Sequence, residues 1–240
     1  MNNVTSILLK QNSVPATSID HVLLEHYKGK SCAVVGSSGA ILDHEYGEII
    51  DQHDVVMRCN QAPTAGFEKS VGSRTDVRII NSHYFTALKG TSPPSHANFI
   101  PRMKSIFTDF DENYLYSLEN NLIIVKYGVN AGLFSAEIER IKEKNNTILF
   151  LNSQFYEKGS HLVGTHATNG FIGILLALKY FDKVSCFGFT FCKEMKTPTW
   201  EKLYYWAPTQ PIGNDCHNND KEKEVVEQLA ANGVINFYLC

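Results

Sequence analysis

The sequence has no long apolar run. Its most apolar stretches are Phe171–Leu178 and Asn121–Val125. Both fall well short of the ~18 residues of a membrane-spanning helix, and they suit a buried helix and a buried strand. Cations are not in excess either. Lys and Arg number 22 against 25 Asp and Glu, a net charge of -3. That argues against a dedicated nucleic-acid binder, whose phosphate contacts need clustered basic residues. Cys32, Cys59, Cys186, Cys192, Cys216 and Cys240 form no CxxC pair, so a structural zinc site is not expected. There is no GxGxxG and no GxxxxGK[ST], which excludes a standard dinucleotide fingerprint and a P-loop. Repeats and low-complexity tracts are absent. Ser6–Lys10 is too short for the ~7–15 apolar residues of a signal-peptide core, and no small-residue cleavage site follows. The expectation is a cytoplasmic protein, neither exported nor anchored, whose cysteines are buried or free thiols.

What is present is ordinary for a globular chain: 43% hydrophobic and 20% charged residues in a length of 240. At ~150 residues per domain this allows one large domain or two small ones. Residues 1–19 are polar and expected to be a flexible segment, with 20–240 as one domain. Cys32–Val35, Asp54–Arg58, Val77–Ile80, Ser105–Thr108, Leu122–Lys126, Ile148–Leu151, Val184–Phe187 and Val234–Tyr238 read as strands. Several are apolar on both faces, as in the middle of a parallel sheet. Asp20–Tyr27, Leu133–Lys142, Gly170–Tyr180 and Lys221–Asn232 carry helical spacing, with Asp20 a plausible N-cap. Strands alternating with helices predict an α/β fold. Residues 190–216 form the longest stretch without periodicity.

Five places could carry chemistry. Strand Cys32–Val35 runs into Gly36-Ser37-Ser38-Gly39 and then a helical stretch. Such a turn can bare amides to an anion, or it can simply be a tight strand-helix connection. Gly164–Gly170 is a second small polar loop opening a helix, and two such loops at strand ends would face each other. His217 stands at a helix entrance with Glu222 five residues on. There it can expose a ring that titrates near neutrality, or it can be incidental to a polar cap. Tyr204-Tyr205-Trp206 could close over a sugar or a base, or form a satellite apolar cluster. Asp109-Phe110-Asp111 offers two carboxylates to a divalent cation, but Asp111 also reads as a helix cap before Glu112–Leu118.

Together these segments resemble the eukaryotic-type sialyltransferases, glycosyltransferase family 29. The large sialyl motif is similar to Cys32–Gly39, continuing through Asp54–Phe67 to Val71–Asp76. The small motif is similar to Gly164–Gly170 with its helix, ending at Gly188-Phe189. Tyr204–Trp206 resembles the third motif, and His217 with Glu222 the very small one. The order is the family's own, over roughly residues 31–222.

The resemblance implies one GT-A-like, Rossmann-type catalytic domain. Its mostly parallel sheet of about seven strands would be flanked by helices. The implied reaction is inverting transfer of sialic acid from CMP-sialic acid to a hydroxyl of an oligosaccharide or glycolipid acceptor, without an essential metal or other cofactor. By resemblance, His217 is the general base. Ser37, Ser38, Gly39 and Asn60 would hold the ribose and phosphate, and Thr168, Asn169 and Gly170 the cytosine and sugar carboxylate. His166 and Tyr204 would be phosphate donors, Gly188 belongs to the same donor site, and Glu222 would fix the loop.

The departures fall in the donor pocket: Ser37 where the family commonly has Asn, and His166-Ala-Thr-Asn-Gly170 where it has Tyr-Pro-Ser-Thr-Gly or similar. They keep another CMP-activated acid such as CMP-Kdo open as donor, and also a binding homologue that has lost catalysis. The family's partner cysteine for Cys32 is replaced by Phe181, which should pack into the core and leave Cys32 a thiol.

Overall fold

The computed structural model describes residues 13–90, 101, 104, 110–126, 131–190, 204–206 and 217–238. Seven strands form one sheet: β1 Ser31–Val35, β2 Val55–Cys59, β3 Val77–Ile80, β4 Leu122–Val125, β5 Thr147–Phe150, β6 Lys183–Phe187 and β7 Asn236–Tyr238. Their order is β5-β4-β3-β2-β1-β6-β7, and every pairing is parallel. The α/β sheet expected from the sequence is therefore present. Seven of the eight expected strands are found within a residue or two of their expected bounds; Ser105–Thr108 lies outside the described residues.

Eight α-helices are described: α1 Asp20–Tyr27, α2 Gly47–Asp51, α3 Glu68–Val71, α4 His83–Leu88, α5 Ser135–Lys142, α6 Ser153–Val163, α7 Asn169–Tyr180 and α8 Asn219–Ala231. Side chains alternate across the sheet, so neighbouring strand residues belong to opposite layers. Cys32, Val34, Met57, Ile79 and Cys186 enter a core with α1, α6, α7 and α8. Ala33, Val35, Val56 and Phe187 face the layer holding Ile50 of α2 and Val71 of α3. Ile80, Ile123 and Val125 meet α4 and α5. The α7 helix lies across β1, β2, β3 and β6 and is buried almost all round, which is why its sequence is apolar on every face.

One expectation needs correcting. Asp20 does not cap α1; Ile19 holds that place without a side-chain bond. Instead Asp20 accepts from the Tyr180 hydroxyl at 2.6 Å, from the Ala16 amide at 2.9 Å and from Lys179 at 3.1 Å, tying α1 to α7. Residues 13–19 are irregular, with Val14 and Ala16 buried in the core; residues 1–12 lie outside the described part. The Phe181 expectation holds. Its ring packs 4.5 Å from that of Tyr27, in the same core as Cys32. Cys32, Cys59 and Cys186 are free and buried. Burial pushes all three thiols up.

The chain builds outward from β1 to β5, then returns to lay β6 on the other side of β1. Open α/β sheets bind ligands at such a reversal, beyond the carboxyl ends of the strands. Here Gly36, leaving β1, touches Gly188, leaving β6. A Cβ on Gly36 would stand 2.3 Å from the Gly188 carbonyl oxygen. Gly188 itself has φ +70, which other residues rarely adopt. Gly36→Ala should therefore cost about 2–3 kcal/mol, read as a lower urea midpoint. An unchanged midpoint would show that the two turns are not in contact.

Candidate functional site

The turn after β1 is built from its contact with β6. The Gly36 amide donates to the Phe187 carbonyl at 2.7 Å and the Ser38 amide to the Gly188 carbonyl at 3.1 Å. The Ser38 hydroxyl bonds the Thr190 hydroxyl at 2.9 Å and accepts from the Ala40 amide at 3.3 Å. Ser38 is thus buried and spent on the turn, while Ser37 is half-exposed. The helical stretch expected next is only a five-residue 3-10 segment, Gly39–Asp43. A helix-dipole argument for anion binding is weak there, and what the turn offers is close approach of backbone.

Asn60, just past β2, has φ 49 and joins three elements. Its side-chain oxygen accepts from the Asn81 amide at 2.9 Å and from the Asn169 side chain at 3.0 Å. Its carbonyl accepts from Arg78 at 2.6 Å. This Asn60–Asn169 bond ties the end of β2 to the start of α7; Asn60 lies outside the Gly36–Gly39 turn, so it does not pair the two small polar loops.

The 166–168 turn carries the densest set of contacts. Thr168 caps α7 by accepting from the Phe171 amide at 3.0 Å. The Thr168 amide and hydroxyl donate to the two oxygens of Glu222 at 2.8 and 2.7 Å. Glu222 is buried, as its role in fixing the loop requires. Burial pushes its carboxyl above the usual range, although the Thr168 donors and the Lys126 charge pull the other way. Lys126, at the end of β4, donates to the Ala167 carbonyl at 2.6 Å. The Tyr156 hydroxyl bonds His166 Nδ1 at 3.1 Å.

His217 Nδ1 lies 2.6 Å from the His166 carbonyl. A carbonyl oxygen can only accept, so Nδ1 carries the proton and Nε2 is left with its lone pair. Burial holds the imidazole below the ordinary histidine value, helped by the charges of Lys126 and His166 and opposed by the carbonyl bond. A neutral ring with a free Nε2 is a competent proton acceptor at neutral pH.

In the third motif the anchor is Tyr205 rather than Tyr204. Tyr205 is 2% exposed. Its amide donates to the Ser37 carbonyl at 2.9 Å and its hydroxyl to the Pro63 carbonyl. Its ring meets Phe67 edge-on at 5.1 Å, and burial pushes its hydroxyl up to about 12. Tyr204 remains half-exposed beside Trp206, with ring centroids 5.1 Å apart. The apolar-cluster reading of this segment is met in Tyr205, which clamps the β1 turn and leaves the neighbouring Tyr204 half-exposed.

The structure thus gathers Ser37, Ser38, Gly39, Gly188 and Tyr205 at one turn, and His166, Thr168, His217 and Glu222 at another. Asn60 and Asn169 bond each other beside the second. Lys126, Asn81, Tyr156 and Thr190 take part without having been singled out from the sequence. Only Lys126 left a signal, a cation closing the apolar strand Leu122–Val125. Asp109 lies outside the described residues. Asp111 Oδ1 accepts from the Asn113 amide at 2.8 Å, and the helix expected after it is a short 3-10 turn, Tyr114–Tyr116.

A parallel sheet whose paired loops sit at the strand-order reversal defines an α/β protein with a Rossmann-type ligand site. The chain belongs to glycosyltransferase family 29, the sialyltransferases, whose family model matches residues 1–234. It is 32% identical over 206 residues to human beta-galactoside alpha-2,6-sialyltransferase 2, covering 81% of this chain and 37% of that protein. It is 25% identical to the Pan troglodytes CMP-N-acetylneuraminate-beta-galactosamide-alpha-2,3-sialyltransferase 1, covering 99% and 67%. The chain thus spans little more than a third of the first relative's length. The crystal structure of a mammalian sialyltransferase superposes with a TM-score of 0.64 at 21% identity, over 99% of this chain.

Glu222 leaves two donors of Thr168 stranded if it is removed. Glu222→Ala should cost about 2 kcal/mol in denaturant unfolding, and Glu222→Gln, which keeps one acceptor, less. Equal stability of all three proteins would mean that Thr168 finds other partners.

Proposed function

We propose that this chain transfers sialic acid from CMP-sialic acid to a hydroxyl of an acceptor glycan, with inversion, and that His217 is the general base. The observation that carries the reading is the bond from His217 Nδ1 to the His166 carbonyl, which leaves Nε2 to receive the acceptor's proton. The acceptor oxygen forms its bond to the sugar's anomeric carbon as the bond to the CMP phosphate breaks. His217 removes the proton from that oxygen in the same step. Ser37, Gly39, Asn60, Thr168, Asn169, Gly170 and Gly188 would line the donor site, with His166 and Tyr204 donating to the phosphate. Ser38 contributes by bracing the turn.

CMP leaves as a phosphate monoester, so there is no second phosphate for a cation to bridge, and the proposal includes no metal. One relative is named for beta-galactosides and the other for beta-galactosamides, which supports a galactose-type terminus on an oligosaccharide or glycolipid acceptor. Ser37 and His166 in the donor turns make CMP-Kdo the competing donor to be compared.

The test measures CMP release from CMP-N-acetylneuraminic acid beside CMP-Kdo, with and without a galactose-terminated acceptor. Release should be faster with the sialic acid donor and with acceptor, and EDTA should leave it unchanged. His217→Ala should lower kcat by about 10²–10⁴ with a much smaller effect on donor affinity. The acid limb of the pH profile should lie below 6.5, because His217 is held under the ordinary value and loses its function when protonated. Donor binding without turnover would reduce the protein to a binder, and an undiminished rate in His217→Ala would remove the base.

A further inference from the structure

Lys126 is a buried cation at the end of β4, with the apolar strand behind it. Its ammonium donates to the Ala167 carbonyl at 2.6 Å and stands 5.1 Å from the centroid of the Tyr156 ring. Ala167 is fully buried, and its amide donates to the Ser160 hydroxyl at 3.2 Å, a second restraint. The residue before it supplies the carbonyl that receives His217 Nδ1–H, and the residue after it is gripped by Glu222. Three successive residues of one turn are therefore held from three elements: β4, the start of α8, and His217 just ahead of α8.

We propose that Lys126 is a positioning residue for the reaction. By holding the Ala167 carbonyl it keeps the turn where the His166 carbonyl fixes the His217 tautomer with Nε2 free. This rests on the reading of His217 as base. The ammonium also disfavours a second positive charge on His217, so it keeps the ring neutral. The other ionisable groups of the elements meeting here are His166 in the turn, Tyr156 bonded to it, and Glu222 of α8, both of whose oxygens are bonded to Thr168. Asp220 and Lys221 precede Glu222, with Lys221 paired to Glu224 at 2.7 Å.

The experiment titrates His217 by NMR without substrate, so it reads independently of turnover. The signal is assigned by its loss in His217→Ala. Lys126→Met should raise the His217 pKa by about half a unit or more and reduce the fraction protonated at Nδ1. Lys126→Arg, which keeps the charge, should largely restore both. The acid limb of kcat/KM should move to higher pH by the same amount, with donor KM within about threefold of the unaltered protein. If Lys126→Met does not fold, Lys126→Gln, which is uncharged but keeps an N–H donor, should show the same upward shift. A folded uncharged variant with an unshifted His217 overturns the proposal. So does a large rise in donor KM with His217 unchanged, since Lys126 would then be touching the donor. Failure of His217→Ala to lower turnover would sink the assignment of the base while leaving the titration result standing.

Discussion

Two glycines decide where this molecule can work. At the strand-order reversal, β1 and β6 lie side by side and both chains must turn away from the sheet. The space between Gly36 and the Gly188 carbonyl admits no side chain on Gly36. Because the backbones meet there, the Gly36 and Ser38 amides can bond the β6 chain. The turn is then braced a second time through Ser38 and Thr190, and a third through the Tyr205 amide on the Ser37 carbonyl. Any ligand at this edge of the sheet meets a floor made of main chain. A floor of that kind allows close approach, and it costs little reorganisation because it is already held in place.

The second half of the site follows a different logic. The 166–168 turn is polar and tightly packed, and its groups would be costly if left unpaired. Each is given a partner from a separate element: Thr168 from Glu222, the Ala167 carbonyl from Lys126, the His166 carbonyl from His217. Buried networks of this sort set geometry more than they add stability, since desolvation offsets much of the gain. Glu222 illustrates the balance, with its carboxyl driven up by burial despite two good donors. The outcome is one imidazole in one tautomer, beside an ammonium that discourages its protonation.

Much of this was legible in the chain because it is local. The glycine-serine turn, the apolar strands and the helical spacing of Lys221–Asn232 each announce themselves through a few adjacent residues. Other features were hidden because their partners are far away in sequence. Asp20 looked like a cap by its place at the start of α1, but Tyr180 and Lys179, some 160 residues on, use it instead. Tyr204 and Tyr205 are indistinguishable by type, and only the proximity of the Ser37 and Pro63 carbonyls makes Tyr205 the anchor. The α6 helix was not anticipated, although Phe155, Tyr156, Gly159 and Val163 recur at helical spacing on its buried face; its internal Gly159 and polar residues read as loop.

The sequence by itself determined the α/β alternation, the parallel sheet, the family and the identity of His217 and Glu222 as a pair worth examining. These depend on periodicity, on turn chemistry and on motif order, all written along the chain. Only the tertiary structure decided which nitrogen of His217 carries the proton. The deciding group is a backbone carbonyl 51 residues away, and a carbonyl leaves no trace in side-chain identity. It likewise decided that Lys126 belongs to the site, because that required β4 to end beside a turn contributed by the segment between α6 and α7.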